Sequence, residues 1–379
     1  MGGAETWLME LLRFWHRQGS DAPRLDFLAT GGAPSYYDEE AEALGAEIYY
    51  LRYGRSHLAQ FVRGLRKILR RGAYAAIHDH GDYASGWHFL MGGNTLPPVR
   101  LTHVHNPAYQ IRNNYGVTLS RRIAAQMGKT LVARYSTHIV GTSRQAISEY
   151  GFDEPRFEHI PKMALHCGFD PTPIDDFESS RNDVRRDFGW PDDSKIILFA
   201  GRIDQSPDVG HAQNHKNSGF AVSVGIEAAR LDSRVRMLLA GAPSPAVEVL
   251  QQRVARAGFA RRIHFAGIRR DLKRLMSASD VLLFPSRGEG LGMVAVEAQA
   301  AGLPVLASTA VPRECVVVPE LMRFESLERG EAEWAAALLA HASQPRNVTS
   351  ANRRVASSPF AVENSADALL KIYEHGLSV

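Results

Sequence analysis

Short apolar runs alternate with helix-period segments from one end of this 379-residue chain to the other. A strand followed by a helix and then by another apolar strand builds a parallel sheet covered by crossover helices. In the first half the runs are Leu25–Ala29, Glu47–Leu51, Ala75–Asp79, Val99–His103, His138–Gly141 and Phe157–Ile160. In the second they are Ile196–Ala200, Arg236–Ala240, Ile263–Ala266, Val281–Phe284 and Pro304–Ala307. The chain is too long for one ordinary core, so two α/β domains are expected. Between the halves, Gly168–Asp193 is rich in Pro, Asp and Ser and reads as a linker with at most one helix. The domains are therefore drawn at 1–170 and 194–357, with a linker at 171–193. Apolar residues at helical spacing in Pro359–His375 predict a closing helix within 358–379.

Composition narrows the setting. Apolar residues make up 45% and charged residues 22%, the balance of an ordinary folded chain. No run is apolar enough to span a bilayer and no signal-peptide pattern opens the chain, so a cytoplasmic location is expected. Cys167 and Cys315 lack CxxC or Cys/His spacing and predict neither a zinc site nor a disulfide framework. Residues 51–150 hold fourteen Lys and Arg against three acids, Asp79, Asp82 and Glu149. Such a field favours an anionic partner, or is a solvated face. Gln60–Arg71 carries Phe61, Val62, Leu65, Ile68 and Leu69 at helical spacing beside Arg63, Arg66, Lys67, Arg70 and Arg71, and Arg112–Arg134 is similar. Basic amphipathic helices lie on anionic leaflets, so peripheral attachment to the inner face of a membrane is expected. No base-stacking platform accompanies the charge, and nucleic acid is not an expected partner.

The most informative stretch runs from Phe284 to Ala298, FPSRGEGLGMVAVEA, and reads as strand, glycine loop and helix. Three glycines around Glu289 let the backbone approach a ligand closely. The N–H groups of Leu291, Gly292 and Met293 would open the helix as an anion site suited to a diphosphate. Glu297 can accept two hydrogen bonds from a ribose diol, and Glu289 can accept from sugar hydroxyls. Taken singly, each is an ordinary solvated acid; with the glycine loop between them they read as a site. Gly201-Arg202 follows the strand Ile196–Ala200, at the end where ligands of open α/β sheets bind. Lys216 begins the helical run Lys216–Leu231. Two cations converging on a pyrophosphate would offset the charge that grows on a leaving group.

The first residues are unusual. Gly2 and Gly3 precede a helix with apolar Trp7, Leu8, Leu11, Leu12 and Trp15. A glycine turn opening a helix in such a unit is normally fed by a buried strand. Either this domain is unusual, or a first strand is missing and Met1 lies downstream of the true start; the second is the expectation.

These residues resemble glycosyltransferase family 4, retaining enzymes of the GT-B fold. The E-x7-E signature matches at Glu289 and Glu297 within EGLGMVAVEAQAAGLPV, and the match extends upstream through Phe265-Ala266-Gly267 and Ser279–Ser286. Gly201-Arg202 matches the family's phosphate-binding arginine. The first half is similar to exopolysaccharide-type members. Gly2-Gly3-Ala4-Glu5-Thr6 resembles their first glycine loop, and His78-Asp79-His80-Gly81 and His103-Val104-His105-Asn106 resemble their histidine pairs at strand ends. Cys167-Gly168-Phe169-Asp170 stands where Asn-Gly-Ile-Asp is usual. The family's Arg-x4-Lys pair is stretched here to the fourteen positions from Arg202 to Lys216.

The resemblance implies two Rossmann-like domains with parallel sheets facing an interdomain cleft, and a last helix crossing back to the first domain. It implies sugar transfer from a nucleotide-diphosphate donor, commonly a uridine diphosphate sugar, to a glycan or lipid-linked acceptor in polysaccharide biosynthesis. The donor would meet Gly2, Gly3, Gly201, Arg202, Lys216, Glu289, Gly290, Leu291, Gly292, Met293 and Glu297. The catalytic set would be His105, Arg202, Lys216 and Glu289, with His103 the alternate to His105. No DxD motif occurs, so neither a metal nor a cofactor is expected; the cations and helix terminus would stand in for Mg²⁺. Two other readings use the same fold. A nucleotide-sugar 2-epimerase would need acid/base carboxylates facing the donor sugar. A non-catalytic nucleotide-sugar-binding protein would follow if the first domain is crippled.

Overall fold

The computed structural model describes residues 3–19, 22–107, 118–173, 177–209 and 211–375. It divides into two units. One comprises the described residues up to Asp170 together with those from Pro359, and the other comprises Pro171–Ser358. Every strand pairing in both is parallel.

In the first unit β1 (Phe27–Ala29) pairs with β2 (Ile48–Tyr50). A separate sheet has the order β3 (Ala76–Asp79), β4 (Val99–Val104), β5 (His138–Gly141) and β6 (Lys162–Ala164). The strand expected at Phe157–Ile160 is displaced to β6. Pro155–Phe157 forms a 3-10 turn, and Phe157 and Ile160 are buried as anchors of a loop. Pro161 has no N–H but offers its carbonyl to the Ile139 N–H at 3.0 Å, so the ladder opens there.

The Gly3–Gln18 helix buries Trp7, Leu11 and Trp15, spaced four apart on one face. The Leu58–Gly72 helix buries Phe61, Leu65 and Leu69 in the same way, against Leu28 of β1 and Ile77 of β3. This corrects one expectation. The apolar face of Gln60–Arg71 is core and faces no membrane, while Arg63, Lys67, Arg70 and Arg71 are its solvated side. The Leu119–Tyr135 helix differs, leaving Leu119, Ile123 and Met127 exposed at four-residue spacing. The closing helix, Val362–His375, belongs to the first unit. Trp7 Nε1 donates to Ser365 Oγ at 3.0 Å, and Ser365 Oγ donates to the His166 carbonyl at 2.8 Å. Cys167 and Cys315 are free, buried thiols.

The second unit holds β7 (Lys195–Ala200), β8 (Val235–Ala240), β9 (Ile263–Gly267), β10 (Val281–Phe284), β11 (Val305–Ser308) and β12 (Met322–Glu325). Their order is β12-β11-β10-β7-β8-β9. The chain runs outward from β7 to β9, then returns to β10 on the other side of β7. Strand order reverses between β7 and β10, and at such a switch point the loops diverge and leave a crevice at the strands' C-terminal ends. β12 adds an edge strand to those expected; half its residues are charged, so it does not read as an apolar run.

The segment read as a linker, 171–193, carries the Phe177–Asp187 helix, which is tied into the second unit. Arg181 donates twice to Asp280 Oδ1, at 3.1 Å each, and Asp280 Oδ2 accepts from the Ile196 N–H at 2.7 Å. Arg185, whose side chain is buried, lies 3.9 Å from the same carboxylate. Replacing Asp280→Ala would leave two guanidinium groups without their acid. We expect a loss of about 3 kcal/mol in urea unfolding; a change within about 0.5 kcal/mol would show that the helix is held by other contacts.

Candidate functional site

β7 and β10 are neighbours, with Ile197 opposite Val281 and Leu198 opposite Leu282. Gly201-Arg202 leaves the first of these strands and the glycine loop leaves the second, both at the switch point. The stretch from Arg202 to Lys216 is folded back by Asp204, which is 5% exposed. Asp204 Oδ1 accepts from the N–H groups of His215 at 2.9 Å and Lys216 at 3.0 Å. Its Oδ2 accepts from the Ser218 N–H at 2.7 Å and the Ser218 hydroxyl at 3.2 Å. One buried carboxylate thus satisfies the start of the Ser218–Leu231 helix and closes the loop onto it. Asn217, at φ 59°, makes the turn between them.

The closure places Lys216. Its stem crosses Gly201, where a β-carbon would lie 3.5 Å from Lys216 Cδ. Its Nζ reaches Glu289 Oε1 at 2.6 Å and sits 5.9 Å from the centre of the Phe284 ring. Gly241, at the end of β8, lets this corner close, because a β-carbon there would stand 1.9 Å from the Gly201 carbonyl oxygen. The glycine loop is pinned from the other side. The Arg287 N–H donates to the His215 carbonyl at 2.8 Å, and the Arg287 guanidinium to the His211 carbonyl at 3.1 Å.

Gly292, at φ 93°, ends the loop and caps the Met293–Ala300 helix. A side chain at Gly292 would begin 3.0 Å from the Phe284 ring. The N–H groups of Leu291, Gly292 and Met293 donate to no acceptor among the described residues. Gly290 is buried in the loop, and Glu297 is half-buried on the helix that follows. Arg202 is exposed and has no ion-pair partner among the described residues. His215, buried between these elements, has its pKa lowered by burial; Asp204 and Glu289 pull it up, Arg202 and Lys216 push it down. Arg202, Lys216 and Glu289 therefore act on one small volume. Nothing local marks Asp204 in the sequence, since its partners lie 11 to 14 residues away. Gly241 was legible only as a glycine directly after an apolar strand.

His105 and His103 belong to the first unit, as does Gly3, which starts the Gly3–Gln18 helix. Gly2 lies outside the described residues. The two histidine pairs meet at the ends of β3 and β4. His78 Nε2 lies 2.9 Å from His103 Nδ1, and His80 Nδ1 lies 2.7 Å from His105 Nε2. The Trp7 ring closes over all four, with centroid distances from 5.3 to 6.4 Å. Burial lowers every one of these imidazoles, His80 to about 4 and the others well below their ordinary value, and the crowding of imidazoles adds to the effect on His78, His103 and His105. Below them, Asp79 accepts from His88 at 2.7 Å. Against the upward push of burial, that contact helps hold Asp79 down to about 2. Asp82, by contrast, is raised to about 6 by burial, although it accepts from the His105 N–H.

Among the described residues, His78, His80 and His103 form the group whose spacing suits a metal, with ligand atoms within 4.8 Å of one another. His78 and His103 are joined through ring nitrogens, and His80 is joined to His105, so a metal would have to displace those bonds.

Neutral buried histidines have a consequence for stability. Their folded pKa values lie below the unfolded value of 6.5. Their contribution is complete above about pH 6.5 and is lost as pH falls, because the unfolded chain takes up protons first. Each contributes up to about 1.4 kcal/mol per pH unit. His88, raised by Asp79, runs the other way and loses its contribution as pH rises. Unfolding free energy should fall steeply from pH 6.5 to pH 5. His80→Gln should make that slope shallower by close to one proton; an unchanged slope would contradict the assignment.

Residues 194–342 match a family model described as glycosyl transferases group 1, and residues 1–162 match one described as glycosyltransferase family 4. EpsF of Bacillus subtilis, named as a glycosyltransferase, is 26% identical over 376 residues, 98% of this chain and 93% of its own. A D-inositol 3-phosphate glycosyltransferase of Xylanimonas cellulosilytica is 26% identical over 98% of this chain and 91% of its own. The solved structure of Anabaena HepE in complex with UDP-glucose superposes with TM-score 0.72 at 19% identity, covering 100% of this chain and 97% of that one. The fold is GT-B.

Proposed function

This chain belongs to the family 4 glycosyltransferases, and from that premise we propose that it transfers a hexose, with retention, from a uridine diphosphate sugar to a glycan or lipid-linked acceptor. The observation that carries the donor half is the switch-point corner. Lys216 pairs with Glu289, Arg202 and Lys216 both act on His215, and three unengaged N–H groups open the helix that follows the loop carrying Glu289. Breaking the anomeric C–O bond leaves negative charge on the diphosphate. Two cations and a helix start, already oriented, offset it with little reorganisation. Glu289 would contact the donor sugar and Glu297 the ribose diol. The Lys216–Glu289 pair keeps the ammonium aimed before the donor arrives, and its remaining N–H donors are available to phosphate oxygens. Activity of this kind calls for no resident metal or cofactor.

In a retaining transfer the acceptor hydroxyl attacks the face that the diphosphate leaves. The anomeric carbon exchanges its bond to the phosphate oxygen for one to the acceptor oxygen, and the departing diphosphate takes the hydroxyl proton. His105, neutral at pH 7, would serve as a hydrogen-bonding group beside the sugar, with His103 behind it.

The donor class is supported by the similar HepE, which was solved with UDP-glucose. For the acceptor the supporting feature is the Leu119–Tyr135 helix. It exposes Leu119, Ile123 and Met127 beside Arg121 and Arg122, an arrangement that suits an anionic leaflet carrying a lipid-linked acceptor. No helix among the described residues is long and apolar enough to cross a membrane, so attachment would be peripheral.

Mass-spectrometric screening of nucleotide-sugar turnover tests the reading. A uridine diphosphate hexose should be consumed, with full activity after chelation by EDTA. Arg202→Ala and Lys216→Ala should each lower kcat by about 10²-fold or more, and Glu297→Ala should mainly raise the donor KM. Turnover that depends on added divalent metal, or that survives loss of both cations, would overturn it. In liposome flotation the chain should rise with anionic vesicles, and replacing Leu119, Ile123 and Met127 with Ser should abolish this.

A further inference from the structure

The histidines at the ends of β3 and β4 form a two-by-two array, and register is its cause. His78 stands opposite Leu101 in the parallel pairing. Side chains two apart share a face, so His80, His103 and His105 fall on the same side as His78. Along β3 the His78 and His80 rings stack with centres 4.3 Å apart, and along β4 His103 and His105 stack at 4.0 Å. Across the strands, facing ring nitrogens lie 2.9 Å apart for His78 and His103 and 2.7 Å apart for His80 and His105.

An all-imidazole array is a set of nitrogen ligands as well as a set of hydrogen bonds. A neutral ring holds one proton on two nitrogens. In each facing pair one nitrogen is therefore already a lone pair. The other becomes one when its proton moves to the far nitrogen of the same ring. For His78 that far nitrogen is Nδ1, which lies 3.1 Å from the Tyr373 hydroxyl oxygen, a ready acceptor. For His103 it is Nε2, which is buried and has no hydrogen-bond partner among the described residues. Whichever ring holds the shared proton, the proton has a place to go without breaking another bond. The unpartnered nitrogen of a ring that is 0% exposed also shows that the array uses less than its full capacity.

His80 adds the third nitrogen, since ligand atoms of His78, His80 and His103 all lie within 4.8 Å of one another. Tetrahedral metal–nitrogen bonds of about 2.0–2.1 Å set neighbouring ligands about 3.3 Å apart. The 2.9 Å pair need only open slightly, while the His80 ring turns inward. Two hydrogen bonds are given up for three metal bonds. Asp79, between His78 and His80 in the chain, and Asp82, which accepts from the His105 N–H at 3.0 Å, place two carboxylates beside the array to offset a dication. Imidazole ligands suit zinc, cobalt, nickel and copper, whereas magnesium and calcium take oxygen. Three protein ligands leave a fourth position open.

We propose that His78, His80 and His103 bind one divalent transition metal of the zinc class, with Tyr373 as a positioning residue that holds His78 from behind. Such binding is independent of sugar transfer, and transfer draws no metal from it.

The test titrates the 379-residue chain with Co²⁺ at neutral pH and reads the visible d–d absorption. About one equivalent should bind with the intense bands of a four-coordinate site; Zn²⁺ should displace it, and a large excess of Mg²⁺ should not. His80→Gln and His103→Gln should each abolish the bands. Tyr373→Phe should keep them with about 10-fold weaker binding. His159→Gln, at an exposed ring, should change nothing. Circular dichroism checks that each variant is folded. Where a ligand variant is not, X-ray absorption of the zinc-loaded parent chain is read instead, and should show three imidazole nitrogens at about 2.0–2.1 Å. Absence of bands in the parent chain, bands that persist in the folded ligand variants, loss of cobalt from His159→Gln, or fewer than three imidazoles around zinc would overturn the proposal.

Discussion

Three backbone N–H groups, from His215, Lys216 and Ser218, converge on the buried carboxylate of Asp204. The geometry of the second unit's site depends on that convergence. A loop of this length between Arg202 and Lys216 would otherwise be free to hold Lys216 in many places. Once Asp204 fixes its two ends, the lysine stem has one course over Gly201, and the ammonium meets Glu289. Gly241 and Gly292 make room for the same corner from below and beside. The site is a local arrangement, but its precision comes from a buried acid that touches no ligand in the proposed reaction.

Much of the fold was legible because parallel sheets leave a strong imprint. Buried strands such as Ile196–Ala200 and Val281–Phe284 are unbroken apolar runs bounded by glycine or proline, and both lie within one residue of where they were expected. The E-x7-E stretch was legible for a related reason: glycines at Gly290 and Gly292 only make sense where backbone passes close to something. What was not legible depended on distant partners. The apolar face of Gln60–Arg71 reads the same whether a bilayer or β1 and β3 cover it, and only the fold shows that Leu28 and Ile77 do. Phe157 and Ile160 are as apolar as a strand, yet Pro161 decides where the ladder starts. Asp204 is a single acid in a polar loop, invisible until its partners are in place.

The two units handle charge in opposite ways. In the second, Arg202 and Lys216 set positive charge at the corner, with Lys216 paired to Glu289 on the glycine loop. In the first, four histidines are held neutral by burial at the ends of β3 and β4, while Asp79 and His88 form an ion pair beneath them. A cationic corner suits a diphosphate whose charge increases during reaction. A neutral, hydrogen-bonding cluster suits uncharged hydroxyls, which would be repelled by nothing and oriented by imidazole nitrogens.

The switch-point corner is proposed to recognise the diphosphate. Equilibrium binding of UDP and of uridine, measured by calorimetry on the chain and on its Arg202→Ala and Lys216→Ala variants, addresses it most directly. Each variant should weaken UDP by about 10-fold or more, as expected for loss of a charge-assisted hydrogen bond, and leave uridine unchanged. If UDP and uridine weaken together, or if UDP binds all three proteins alike, the diphosphate is held elsewhere and the account is wrong.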